Sequence, residues 1–250
     1  MKYLKTYEQV NLEDDLINAS INNDLDKVKK LIKNGVDIDF QEEEEGGNTA
    51  LIWASFYNNI EIVKKLIKAG ANLNLQDNRG YTALMWTSYR NSIEIVKELI
   101  KAGANLDIQN QYGSTALILS LDKENIEILK ELIKAGANLD LQDNNGNTAL
   151  IWASYNNNIE IVKELIKAGA NLDLQNKYGY TALIWASKRI SKNIAVKELI
   201  KAGADWNIKN EDDEDFLNYL KTEDRDQIIT EFPEEYKNYL MKKDAEKYNI

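Results

Sequence analysis

The sequence has no histidine, no cysteine and a single proline, Pro233, in 250 residues. Without histidine there can be no Ser-His-Asp triad, no Cys-His pair and no imidazole ligation of zinc. Without cysteine there are neither disulfides nor thiolate chemistry. A phosphate-cradling Gly-x-x-x-x-Gly-Lys loop is also missing, and the glycines fall where helix ends and hairpin turns are expected. No stretch approaches the ~18 uninterrupted apolar residues of a membrane span. The opening Met1-Lys2-Tyr3-Leu4-Lys5-Thr6-Tyr7-Glu8 leads into no apolar run of the signal-peptide kind, so a soluble, cytoplasmic protein is expected. Carboxylates are plentiful, but they fall on predicted outer helix faces and loops, where they meet water. Asp143-Asn144-Asn145-Gly146-Asn147 lacks the spaced acids and closing glutamate of a calcium loop. No catalytic residue, metal ligand or cofactor site is predicted, and the chain reads as a non-enzyme.

Acid exceeds base, for a net charge of −10. Two runs without a base, Glu42 to Glu45 and Glu211 to Asp215, hold nearly all of the excess. They are read either as solvated loops or as acidic lips that steer a basic partner.

The sequence is dominated by repetition. Thr-Ala-Leu-Ile-Trp-Ala at Thr49 has close copies at Thr82, Thr115, Thr148 and Thr181, each 33 residues after the last. So steady a period means one structural unit stacked on itself. In the unit that opens at Thr148, Thr148 can cap a short inner helix that runs through Ser154. Asn156, Asn157 and Asn158 form a turn, and Ile159, Val162, Leu165 and Ile166 make the apolar stripe of an outer helix. Gly169 ends that helix in the left-handed region. Helices below ~12–15 residues are marginal in water, so their burial must come from neighbouring units.

The Gly-x-Thr-Ala-Leu-x-Trp-Ala string, the Ile-Glu-Ile-Val-Lys-x-Leu-Ile-Lys-Ala-Gly-Ala run and the Asn/Asp-containing loop between them resemble the ankyrin repeat. The resemblance implies an all-α repeat solenoid of stacked helix-turn-helix units with protruding β-hairpin tips, capped at both ends, binding partners on its concave side and tips. Residues 1–13 are expected to be an N-terminal extension, 14–40 a capping repeat and 41–210 five full repeats. Residues 211–250 are expected to form an acidic loop and a helical cap in which Tyr236, Tyr239 and Leu240 seal the stack. Where the family has Pro and His, this chain has Ala50, Ala83, Ala116, Ala149 and Ala182, then Ile52, Met85, Ile118, Ile151 and Ile184. Apolar packing must therefore replace the histidine's hydrogen bonds. The fifth unit carries one extra residue, expected to bulge the turn near Ile190-Ser191-Lys192.

Two sets of positions vary between units: the loop tips and the residues that close each inner helix. They hold Phe56, Tyr57, Arg79, Tyr81, Tyr89, Arg90, Tyr112, Tyr155, Tyr178, Tyr180, Lys188 and Arg189. Only four arginines stand against 27 lysines, and three of the four are in this set. Tyr and Arg dominate binding hot spots, so these residues are the candidate partner-binding surface. The other reading is that the tyrosines cover the edges of neighbouring tips and stiffen the array. Trp53, Trp86, Trp152 and Trp185 share one register with Leu119, which favours core between units over a concave aromatic stripe for a ligand. The predicted function is a non-catalytic module, monomeric when unbound, that docks another protein. The alternative is an acidic inhibitor or immunity-type protein that masks a basic surface. A pI near 4.8 argues against nucleic acid.

Overall fold

The computed structural model describes residues 7–42, 46–123, 126–188 and 193–248, and every regular element among them is helical. The chain forms two compact units, Met1–Asn138 and Leu139–Ile250. The first holds α1 (Tyr7–Ile21), α2 (Leu25–Lys33), α3 (Ala50–Phe56), α4 (Ile60–Lys68), α5 (Ala83–Tyr89) and α6 (Ile93–Lys101). It continues with α7 (Ala116–Leu119), a 3₁₀ turn at Ser120–Lys123 and α8 (Ile126–Lys134). The second holds α9 (Ala149–Tyr155), α10 (Ile159–Lys167), α11 (Ala182–Ser187) and α12 (Ile194–Lys201). A 3₁₀ turn at Phe216–Tyr219 then leads to α13 (Thr222–Glu231) and α14 (Pro233–Tyr248).

Each short inner helix starts at the repeated threonine, whose hydroxyl accepts the N–H three residues on. Ile52 N to Thr49 Oγ1 is 3.2 Å, and the same bond recurs at Thr82, Thr115, Thr148 and Thr181. Neighbouring inner helices pack side by side: α1 on α3, α3 on α5 and α5 on α7 in the first unit, α9 on α11 in the second. The residues at the family's histidine position, Ile52, Met85, Ile118, Ile151 and Ile184, are all buried. The outer helices add Ile62, Val63 and Leu66 and their equivalents, which are almost fully enclosed. The inner-to-outer turns pass through Asn23, Asn58, Asn91, Asn157 and Asn193, all at positive φ, where asparagine is the best tolerated residue after glycine.

The third repeat departs from this pattern. Its inner helix tightens into 3₁₀ after Leu119. The position occupied by buried Ser55, Ser88, Ser154 and Ser187 elsewhere is Leu121 here. The hydroxyls of Ser55, Ser88 and Ser154 have no hydrogen-bond partner, so a leucine at that position forfeits no bond but is bulkier than the serine.

Among the described residues the tips are turns and not the β-hairpins that the resemblance implies. An Asx residue closes each one from inside: Asp77 Oδ1 accepts from Arg79 N at 2.9 Å and from Tyr81 N at 2.8 Å. Asn110, Asp143, Asn176 and Asn210 make the same pair of bonds. These side-chain bonds take the amides a hairpin ladder would have used. Successive tips are joined by one backbone bond each, Asn78 N to Gly46 O, Gln111 N to Arg79 O, Lys177 N to Asn145 O and Glu211 N to Tyr178 O. Glutamine amides add a second tie, as when Gln76 Nε2 donates to Gly80 O within its own tip and to Gln109 O of the next.

At the start, α1 begins at Tyr7, within the stretch expected to be an extension. At the other end Pro233 occupies the first position of α14, where its missing N–H costs nothing. Trp206, Phe216, Tyr236 and Tyr239 pack together there, and the Tyr239 hydroxyl donates to Asp215 Oδ2 at 2.8 Å. Leu240, expected to help seal the end, is exposed instead; the helix phase set by Tyr236 and Tyr239 turns it outward. Lys242 bridges from α14 to Asp205. Burial alone would raise the Asp205 carboxyl, but donors from Asn207 and Lys242 outweigh it and hold it below the usual carboxylate range.

Candidate partner-binding face

The loop tips and the ends of the inner helices carry a cluster of aromatic rings in each unit. In the first unit Tyr57 stacks on Trp53 with centroids 5.8 Å apart, and Phe56 meets Trp86 of the next repeat edge to face at 5.0 Å. Tyr81 stacks on Trp86 at 4.6 Å, and Tyr89 meets the same indole at its edge. Two guanidiniums cover these rings. Arg79 lies 5.0 Å from the Trp86 ring and 5.5 Å from Tyr81, while Arg90 lies 4.8 Å from Phe56. In the second unit Tyr155 packs on Trp152 and on Trp185, and Tyr180 stacks on Trp185 at 4.7 Å.

The tryptophans take the first of the two roles weighed from the sequence, packing between repeats. Trp86 is 8% exposed and the others are half-buried, so each is packing material between repeats that also shows one edge. What orients them was not anticipated. The indole N–H donates to an acid of the loop ahead: Trp53 to Glu42 at 2.9 Å, Trp86 to Asp77 at 3.2 Å and Trp152 to Asp143 at 2.8 Å. Where the tryptophan becomes Leu119, that loop position becomes Asn110, and no indole needs an acceptor. The fifth repeat breaks the pairing. Asn176 stands in the acid's place, its Nδ2 donates to Asn147 Oδ1, and the Trp185 N–H is left buried without an acceptor. The Asp-to-Trp spacing of nine residues was visible in the sequence and would have revealed this link.

The predicted surface residues fall into two groups. Tyr57, Tyr112 and Tyr178 are exposed at 46%, 53% and 56%. Phe56, Tyr81, Tyr89, Tyr155 and Tyr180 are half-buried members of the ring stacks. Burial raises the pKa of the Tyr81 phenol. Lys188 is held inside a network. Its ammonium sits over the Tyr180 and Tyr219 rings, both at 4.5 Å, and donates to Tyr180 Oη at 3.0 Å. The single Tyr219 proton goes to Glu214, so Tyr180 must donate across its 3.3 Å contact to Tyr219. Burial, then the bond to Glu214, drives the Tyr219 phenol upward. Arg189 lies outside the described residues, as do the expected bulge at 190–192 and Glu43, Glu44 and Glu45.

The second acidic run is not a uniform solvated loop. Asp215 is buried, caps the 3₁₀ turn at Leu217 N and receives the Tyr239 hydroxyl. Glu214 accepts from Tyr219, and Asp213 pairs with Lys209 at 2.9 Å. No group of three or more acidic side chains placed to hold a metal occurs among the described residues. Nor is any helix among them long and apolar enough to cross a membrane.

Capped helix pairs on a fixed period, stacked through apolar inner faces, define an all-α repeat protein of the solenoid class. The chain belongs to the ankyrin repeat family: the model for ankyrin repeats in three copies matches residues 16–110, 53–143, 84–176 and 117–210. The crystal structure of the ankyrin repeat domain of Bcl-3, described as a unique member of the IkappaB protein family, is similar at a TM-score of 0.79. Sequence identity to it is 28%, over 86% of this chain and 97% of that one. No curated protein sequence matches the chain.

Proposed function

We propose that the chain is a non-catalytic protein-interaction module that docks a macromolecular partner on its inner-helix ends and loop tips. One observation carries this reading: every exposed large aromatic among the described residues, Tyr57, Tyr112 and Tyr178, is at an inner-helix end or a loop tip. An aromatic side chain left in water is area available for burial, and it orders on binding at little entropic cost. The tips that carry Tyr112 and Tyr178 are each tied by a backbone bond to a neighbouring tip of their own unit before any partner arrives, which limits the ordering penalty of association. Ankyrin repeats are in general protein-interaction modules, in keeping with this role. The Bcl-3 neighbour supports the scaffold and names no partner for this chain.

The rival, an acidic inhibitor masking a basic surface, would work through Glu42–Glu45 and Glu211–Asp215. Three of the five acids in the second run are committed within the chain, leaving Glu211 and Asp212 at the tip. Docking on the aromatic face is therefore the stronger reading. Affinity purification from the native cell would identify the partner, and titration calorimetry would measure it against Tyr57→Ala and Tyr178→Ala. Each substitution is expected to weaken the complex by about 2 kcal/mol without changing the fold. Wild-type affinity in both would remove the face from the interface.

A further inference from the structure

We propose that the aromatic face of the Met1–Asn138 unit takes a peptide segment bearing carboxylates, with Arg79 and Arg90 as its two anchors. This rests on the docking reading above and names the chemistry of what docks. The chain is rich in acids, yet these two arginines make no ion pair among the described residues. Arg79 lies on Trp86 and Tyr81, Arg90 on Phe56, and both side chains reach solvent. The two carboxylates that bond to the indoles of this ring cluster are already in use. Asp77, two residues before Arg79, gives Oδ1 to the Arg79 and Tyr81 amides and Oδ2 to the Trp86 indole. Glu42 gives Oε1 to Trp53 Nε1 and Asn48 Nδ2.

The fourth arginine shows the contrast. Arg225 spends its guanidinium inside the cap, donating from Nη2 to Leu217 O at 2.5 Å. Arg79 and Arg90 have no such internal duty. A guanidinium resting on a ring keeps in-plane N–H groups that fit a carboxylate in bidentate fashion. The rings beneath exclude water from one side, so an incoming carboxylate is paired in a partly dry setting, where such pairs hold best. Phe56 and Trp86 touch at 5.0 Å and carry Arg90 and Arg79 respectively, so both cations belong to one patch. Exposed Tyr57 and Tyr112 supply apolar area in the same unit. The fitting partner is a short acidic segment with aromatic or aliphatic residues among its acids. It shares the sign of the chain's net charge of −10, so the attraction is local to the two guanidiniums.

Random phage-displayed peptides of about 16 residues would be selected against the full chain. The strongest winner, synthesised with a fluorescent label, would be titrated by anisotropy against wild type, Arg79→Gln, Arg90→Gln, Tyr57→Ala and Tyr112→Ala. Circular dichroism confirms that each variant is folded. The expected winners are enriched in Asp and Glu, and either arginine substitution weakens them at least ~10-fold, with affinity falling as salt rises. Winners without acids, or acidic winners indifferent to both arginine changes, overturn the carboxylate assignment. If such winners still lose affinity on Tyr57→Ala or Tyr112→Ala, the docking face stands and only its chemistry is wrong. If no peptide is selected, or none of the four changes matters, both readings fall.

Discussion

Gly146→Ala is expected to destabilise the Leu139–Ile250 unit by about 3 kcal/mol, whereas Gly169→Ala costs only about 1 kcal/mol. Both glycines have positive φ, +80° and +88°. Both substitutions therefore carry the left-handed penalty for an L-residue, about 1–2 kcal/mol. They differ in what surrounds them. A Cβ on Gly169 meets nothing within 4 Å, but one on Gly146 would stand 2.8 Å from Lys177 N and 2.9 Å from Asn176 Cα. Those atoms are backbone of the next tip and cannot swing aside. To make room, the tip would have to abandon the Lys177 N to Asn145 O bond. Urea unfolding followed by circular dichroism measures both variants, and the difference between them isolates the contact between repeats. Equal losses would mean that the tips are not held against each other.

Asp77→Ala is expected to cost about 3 kcal/mol as well, because truncation orphans three donors at a buried site. Asp77 is 5% exposed and receives two backbone amides and the Trp86 indole. Asp77→Asn keeps the Oδ1 bonds and faces the indole with an amide, so its loss should be nearer 1 kcal/mol. The chain already contains that arrangement at Asn176 and Trp185, where the indole lacks an acceptor. The reverse substitution, Asn176→Asp, should then stabilise by about 1 kcal/mol, with Asn147 turning its amide to donate. Thermal unfolding of the three variants should rank them in that order. A neutral Asp77→Ala would remove the acid from its role of setting Arg79, Tyr81 and Trp86 in place.

Much of this architecture was legible because the repeat is so regular. The period placed the helices, and the threonine caps followed from residue type. The outer-helix stripe read as Ile159, Val162, Leu165 and Ile166, however, is buried only at Val162 and Leu165. Ile161 completes it, and Ile159 and Ile166 are half-buried at its margins. The burial of Ile52, Met85, Ile118, Ile151 and Ile184 matches the expectation that apolar packing replaces the histidine bonds. Legibility failed where side chains compete with backbone for the same hydrogen bonds. The tips were expected to be β-hairpins, but the Asx residues capture the amides and leave turns. Asp215 sat within a run of five acids and looked solvated, yet it is a buried cap for the Phe216–Tyr219 turn. Lone charges in a run do not announce which of them faces inward.

The candidate face was chosen for its variability and its Tyr and Arg content, which name residues but not what each of them does. Tyr180 and Lys188 read as surface anchors and turn out to belong to a hydrogen-bonded relay ending at Glu214. Its last members, Glu214 and Tyr219, come from beyond the last recognisable repeat, so no repeat alignment could have supplied them.

The central claim is that each tip is fixed by its neighbour before a partner binds. Hydrogen–deuterium exchange on the unbound chain tests it most directly, read at the amides of Asn78, Gln111, Lys177 and Glu211, which bond across to adjacent tips. These amides should exchange at least ~100-fold more slowly than in an unstructured peptide. Exchange at the unstructured rate would mean loops that order only on binding, and the account of a preformed docking face would be contradicted.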